Sequence, residues 1–459
     1  MTLTITRELR PTTRDVRPAP GPPLTETRSK SDGTERRASP TSSRDRYIDV
    51  LRAAALVRVV LNHAFGWVWL TFVFPSMGIM FALAGSLAAA SIDRSPHQPW
   101  AFMTSRTRRL VPSLWALGLV MVPLMLWHGW AVLHSPADLG TLAYWVLPIS
   151  DPPYGEWGAA YAEPLWYIRA YLWFVLLSPA ALWMFRRWPK RMLALPLGVA
   201  TLHGLGLINL YGASARTSNI KVDLATYGAC WMLGFAHHDG MLKRIPAALV
   251  APTAVAFMAL GAWWALTHPA GSQGVRVAAI PFAQTLYCLG WVLFLLRFYV
   301  SMEWISRVRV LDYLVSAVNA RAVTIYLWAN VGIGVATWTI SRLWPTDVPW
   351  SSEVVGGAVL LSLVAVFLMA AVMGLGWVED LAARRKPTLL PRFGAARPAG
   401  KPELATTFAD PATPPAAGAT SATAPPTWAG LVAQARSASA HQGVAVTRVA
   451  PTAVEHALT

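Results

Sequence analysis

The sequence predicts an all-α, polytopic membrane bundle of about ten transmembrane helices. Hydrophobic residues make up 54% of the 459 residues and charged residues only 14%, against about 25% charged in an average soluble domain. Apolar segments close to the ~20 residues that a spanning helix needs recur between residues 46 and 380. Tryptophan reaches 23 residues, as expected where indoles sit at two membrane interfaces.

The elements follow in chain order. Residues 1–45 hold nine basic and six acidic residues, six prolines and no apolar period, the composition of a disordered tail. The tail contains no h-region, so it does not read as a signal peptide. Spans are predicted at 48–69, 72–90, 110–128, 165–185, 192–210, 222–237, 245–266, 277–296, 322–343 and 354–378, with the sixth the shortest. Residues 46–380 therefore form the membrane domain. From Pro387 to Thr459 the chain turns to Ala, Pro, Thr and Ser and is read as a second disordered tail. Cys230 and Cys288 fall inside apolar runs, so neither a disulfide framework nor a zinc knuckle is available.

The net charge of +16 would suggest nucleic acid in a soluble protein, but here its location decides its meaning. With the N-terminus inside, the inner loops hold fourteen Lys and Arg, among them Arg94, Arg106, Arg108, Arg109, Arg186, Arg187, Lys190 and Arg191. The outer loops and their edges hold four: Arg216, Lys221, Arg276 and Arg342. The longest outer loop, about 129–164, has no Lys or Arg but carries Asp138, Asp151, Glu156 and Glu163. Ten spans with both termini cytoplasmic satisfy the positive-inside rule, in a plasma membrane and with no nucleic-acid role.

Chemistry concentrates in the first span. Charged groups there cost at least ~2.5–3.5 kcal/mol each on insertion scales, so an intramembrane charge is a functional hypothesis by default. Arg52 and His63 are eleven residues apart, and eleven steps of ~100° return to within ~20° of the starting direction. They share one helix face, with His63 ~16 Å further along than Arg52. Asp49 lies on nearly the same face but ~21 Å from His63, and its natural partner is Arg52 at i+3. A lone intramembrane histidine is as readily a polar group satisfied by a neighbouring helix. Alignment with Arg52 favours chemistry, since a neutral imidazole can accept a proton from a hydroxyl or attack an acyl group.

The runs Tyr47-Ile-Asp-Val-Leu-Arg52, Leu61-Asn-His63-Ala, Phe81-Ala-Leu-Ala-Gly-Ser-Leu87 and Arg106-Thr-Arg-Arg109-Leu-Val-Pro112 resemble the membrane-bound acyltransferase 3 family. Its members O-acylate cell-surface sugars and some small molecules. Order and spacing match over about residues 45–115. Leu165–Phe174, the Ser178-Pro179 pair and Val323–Trp328 match more loosely. The resemblance implies about ten helices, an acyl-CoA donor approached from the cytoplasm, and a glycan or small-molecule hydroxyl acceptor reached from outside. It implies no metal and no prosthetic group.

Carried onto this chain, the resemblance makes Arg106 and Arg109 the grip on the phosphates of coenzyme A. They are one helical turn apart, and guanidiniums bind phosphate in bidentate fashion. Composition alone would make them positive-inside anchors. Arg52 would hold or polarise the donor further in. His63 would act as general base or as a transient acyl carrier. Departures from the family pattern concern the acceptor: Ala84-Gly85-Ser86 where many relatives carry Ser-Gly and an aromatic, Tyr171 and Leu172 where many carry glutamates, and Asn330 where a histidine commonly stands. Arg58 stands where most relatives are apolar, with Asn62 at i+4 or a carboxylate of another helix as its candidate partner.

Glu163, Arg169 and Asp223 are candidates for the acceptor side. Arg169 either faces the acceptor or pairs with Glu163; Tyr211 and Asn209 accompany Asp223 near the outer ends of spans five and six. His237 and His238 read as interfacial residues, because no third metal ligand stands at usable spacing. The rival reading is a transporter or flippase without acyl-transfer chemistry. A transporter favours paired repeats and Gly- or Pro-broken helices at matching positions, and no internal repeat is visible.

Overall fold

The computed structural model describes residues 46–131, 136–212, 215–271, 274–343 and 353–389. Both predicted tails lie almost wholly outside these, and the described residues all belong to the compact unit Met1–Thr406. Among them every regular element is helical: α1 (Arg46–Phe65), α2 (Ser76–Arg94), α3 (Pro99–Trp127), α4 (Pro136–Thr141), α5 (Ala143–Val146), α6 (Ala159–Ala162), α7 (Leu165–Arg187), α8 (Pro189–Gly204), α9 (Ala215–His238), α10 (Ala247–Thr267), α11 (Pro281–Arg297), α12 (Arg309–Ala320), α13 (Ala322–Leu343) and α14 (Glu353–Ala382). Short 3₁₀ turns bridge several of them, including Val68–Thr71 and Glu156–Gly158.

Six segments are long and apolar enough to cross a membrane on length and composition: Val68–Arg94, Trp100–Trp127, Leu165–Arg187, Ala247–Thr267, Ala322–Leu343 and Val354–Ala382. The chain is thus a multi-pass membrane protein. The other four predicted spans correspond to α1, α8, α9 and α11. α8 and α11 have 16 and 17 residues, α1 carries Asp49, Arg52 and Arg58, and α9 opens on a polar stretch containing Lys221 and Asp223.

Two boundaries differ from expectation for a physical reason. α3 starts at Pro99, eleven residues before the predicted span, because Arg106–Arg109 is helical although too polar for the hydrocarbon region. The predicted sixth span is a 24-residue helix, α9, whose polar first turns hid it from hydropathy. α12 was not anticipated; its apolar residues fall on one face, and it lies in the basic loop between α11 and α13.

Contacts between termini define two ends of the bundle. At one, Arg46 pairs with Asp312 of α12 at 2.7 Å, and Asn319 donates to the Asp49 carbonyl at 2.8 Å. At that same end Arg108 reaches the last carbonyl of α14 at 3.2 Å. At the other, Arg276 donates to Gly66 O at 2.7 Å and Tyr287 to Phe72 O at 2.5 Å. Gly66, at φ 62°, stops α1 there, a conformation that costs a glycine little.

Small residues let the helix backbones touch. A Cβ on Gly85 would come within 2.4 Å of the Trp231 carbonyl, and one on Gly234 within 2.1 Å of the Ala82 carbonyl, so α2 and α9 pack backbone to backbone. Their contact lies against an aromatic centre, in which Phe81 sits 5.0 Å from Tyr167, 5.1 Å from Phe174 and 4.9 Å from Tyr227 by ring centroids. Such ring pairs add about 0.5–1.5 kcal/mol each beyond burial. Leu119, Trp127, Trp183 and Val366 are strongly exposed, as suits side chains that face lipid.

Candidate active site

The face of α1 that carries Arg52 and His63 points into the bundle. Arg52 has Asp49, Arg106, Tyr171 and Tyr167 within electrostatic reach. Asp49, expected as its i+3 partner, is the foremost charge acting on it, without a close ion pair between the two. The Asp49 carboxylate also lies 3.9 Å from Arg46, three residues back. Among the described residues Arg52 makes no hydrogen bond or close ion pair. Tyr171, which stands where many relatives carry a glutamate, is among the groups beside its guanidinium. Tyr171 in turn lies 6.0 Å from Trp231 by ring centroids.

α3 brings the basic cluster to this point. Arg106 packs over the Phe102 ring at 5.8 Å and lies within electrostatic reach of both Arg52 and Arg94. Arg108, between the two candidate donor residues, is committed to the α14 terminus. Arg106 and Arg109 lie one helical turn apart, both half-buried. Asp49 and Asp93 are the carboxylates that act on this group of guanidiniums, and a cluster richer in guanidinium than in carboxylate attracts an anion.

Toward the opposite end His63 is half-buried and makes no hydrogen bond to another described residue. Its electrostatic neighbours are Glu163 and Arg58. Sequence spacing could not reveal the approach of Glu163, because it depends on how α13 docks. Tyr326 donates to the Pro164 carbonyl at 2.6 Å and Asn330 to the Ala160 carbonyl at 2.7 Å, which fixes the turn carrying Glu163. These two positioning residues were missed; the only signal was an amide at position 330 where a histidine commonly stands.

Arg58 receives an account. It donates to the Leu70 carbonyl at 2.7 Å and so braces the turn between α1 and α2. Neither expected partner, Asn62 or a carboxylate, is the group it binds.

The remaining acceptor candidates are held in a separate network. Arg169 is 2% exposed and pairs with Asp223 of α9 and with Asp151 of the preceding loop, not with Glu163. Asn219 donates to Asp151 at 2.8 Å. The three charges tie α7, α9 and the loop together. Tyr211 and Asn209 stay together, the Tyr211 amide donating to the Asn209 side chain at 2.9 Å.

At the Arg46 end His238 meets Asp93 at 2.9 Å, with Asp239 beside them, an arrangement of metal-ligand type that sequence spacing did not show. The Arg186 guanidinium fills it, bonding both carboxylates at 2.7–3.0 Å. A guanidinium supplied by the chain itself already occupies that cluster.

The family model described as an acyltransferase domain, acyltransferase 3, matches residues 45–378. The chain belongs to this family. No curated protein and no solved structure matches it.

Proposed function

We propose that this membrane acyltransferase moves an acetyl or other short acyl group from acyl-CoA to a hydroxyl of a cell-envelope glycan or exported small molecule. One observation carries the reading. A single helix, α1, presents a guanidinium gathered with Arg106 at one level and an open imidazole beside Glu163 about 16 Å further along. Ten spans, with the Arg46 end in the cytoplasm and the 129–164 loop outside, fit the distribution of Lys and Arg.

In this reading Arg106 and Arg109 hold the donor phosphates, and Arg52 steadies the pantetheine end as it enters the bundle. His63 takes the proton from the acceptor hydroxyl as its oxygen attacks the thioester carbonyl. The C–S bond breaks, and coenzyme A leaves as a thiolate that takes up a proton. Glu163 stabilises the imidazolium that forms. If His63 instead carries the acyl group, its nitrogen bonds the carbonyl carbon as the C–S bond breaks and the ring proton passes to the thiolate; the hydroxyl oxygen then bonds that carbon as the C–N bond breaks and its proton returns to the ring. Arg169 and Asp223 act here by holding the loop that delivers Glu163.

The test is a comparison of envelope glycans and exported metabolites from cells with and without the gene, by mass. An acyl-sized loss on deletion is expected, together with label transfer from acyl-CoA by the purified protein. Unaltered masses with altered export of an unmodified compound would overturn the reading in favour of transport.

A further inference from the structure

A cleft of about 420 Å³ opens where α3 ends, between His128, Trp130 and the stretch Gly155–Trp157. Its size falls in the ~300–1,000 Å³ range of small-molecule sites. None of the residues assigned to acyl transfer lines it.

Its chemistry is distinctive. The His128 and Trp157 rings stack at 4.2 Å with 7° between their planes, and Tyr161 tilts against Trp157 at 5.0 Å. Trp157 nevertheless remains 38% exposed, and His128 and Glu156 are exposed beside it. Gly155 lets the backbone lie directly on Trp130, where a Cβ would come within 3.0 Å of that side chain. The walls therefore offer flat aromatic surface next to a carboxylate acceptor and imidazole edge nitrogens. A lipid tail would leave Glu156 unmatched, and an anion would be repelled by it. A neutral ring with one C–H-rich face and a rim of hydroxyls satisfies both parts.

The cleft also lies a short way along the chain from the residue that neighbours His63. Trp157 touches Tyr161, and Glu163 follows two residues later. Six residues in helical turns cover roughly 10 Å, and Glu163 is the group within reach of His63. We infer that this cleft is a saccharide subsite, holding a neutral pyranose ring of the acceptor beside the ring whose hydroxyl is acylated. Its role in catalysis rests on the acyl-transfer reading above; its affinity for sugar does not.

The experiment is saturation-transfer NMR on the full-length protein in detergent with the methyl pyranosides of glucose, galactose, mannose, N-acetylglucosamine and rhamnose. Saturation of the ring C–H protons of at least one is expected. Trp157→Ala should reduce it at least about fivefold and Glu156→Gln about twofold, with acyl-CoA hydrolysis in the absence of acceptor unchanged. If Trp157→Ala does not fold, Glu156→Gln and His128→Ala decide. Absence of saturation for all five sugars, or saturation that survives in the folded variants, would overturn the subsite. Trp157-dependent sugar binding in a protein that never turns over acyl-CoA would sink the acyl-transfer reading and leave the subsite standing.

Discussion

Arginines inside this bundle fall into two groups, and their surroundings separate fully buried, ion-paired charge from half-buried charge gathered with its like. Arg169 and Arg321, each 2% exposed, grip groups from other elements. Arg169 takes Asp151 and Asp223, while Arg321 takes Asp380 at 2.7 Å, the Gly376 carbonyl at 2.8 Å and Thr388 O at 2.5 Å. Arg52 and Arg106 instead lie within electrostatic reach of each other without a close ion pair, Arg52 with Asp49 as its foremost opposite charge and Tyr171 and Tyr167 alongside. Satisfied guanidiniums hold helices together. Guanidiniums gathered with few carboxylates repel one another and favour an anion beside them, and the proposed reading assigns that place to the donor phosphates.

The sharpest break in this comparison is Arg169→Ala. Removing one partner from a buried charge network leaves Asp151 and Asp223 uncompensated, at a cost of about 3–5 kcal/mol. Thermal unfolding in detergent should show a large loss of stability, with turnover per folded molecule falling far less than in Arg52→Ala. Arg52→Ala should do the reverse, with an unchanged unfolding temperature and turnover down roughly 1,000-fold, about 4 kcal/mol of barrier. A destabilised Arg52→Ala variant would place Arg52 among the structural arginines.

Replacing Arg106 and Arg109 together by Ala should weaken acyl-CoA binding about 10–100-fold, as expected for lost charge-assisted hydrogen bonds. A Lys pair should recover only part, since it lacks the planar fork. Donor titration reads the result, and unchanged affinity in the Ala pair would return these residues to the role of anchor. The smallest effect should follow removal of residues 1–40 and 400–459, which carry too little apolar surface to pack a domain. Turnover per folded molecule should stay within about twofold; a larger loss would make a tail part of the site.

Much of the bundle is readable from composition because its signal is local. The limits of α13, for example, coincide with the predicted 322–343, and the shared face of Arg52 and His63 needs only helical periodicity. What sequence did not yield depends on tertiary docking. Glu163 reaches His63 because Tyr326 and Asn330, more than 160 residues later, hold its turn. Arg169 lies near Glu163 in sequence yet pairs with Asp223, 54 residues away. α3 begins early because the Arg106–Arg109 stretch favours helix while violating hydropathy, and α12 hid inside a basic loop for the same reason.

The central claim, that His63 performs chemistry at one end of a path whose other end is Arg52, is tested most directly by His63→Gln. Glutamine keeps a hydrogen-bonding side chain of similar reach but cannot accept a proton at neutral pH or carry an acyl group as imidazole does. Labelled acyl transfer from acyl-CoA by the purified variant should fall at least about 1,000-fold, about 4 kcal/mol, with donor affinity and thermal unfolding like those of the parent. A well-folded His63→Gln protein with near-parental turnover would contradict both routes through the imidazole.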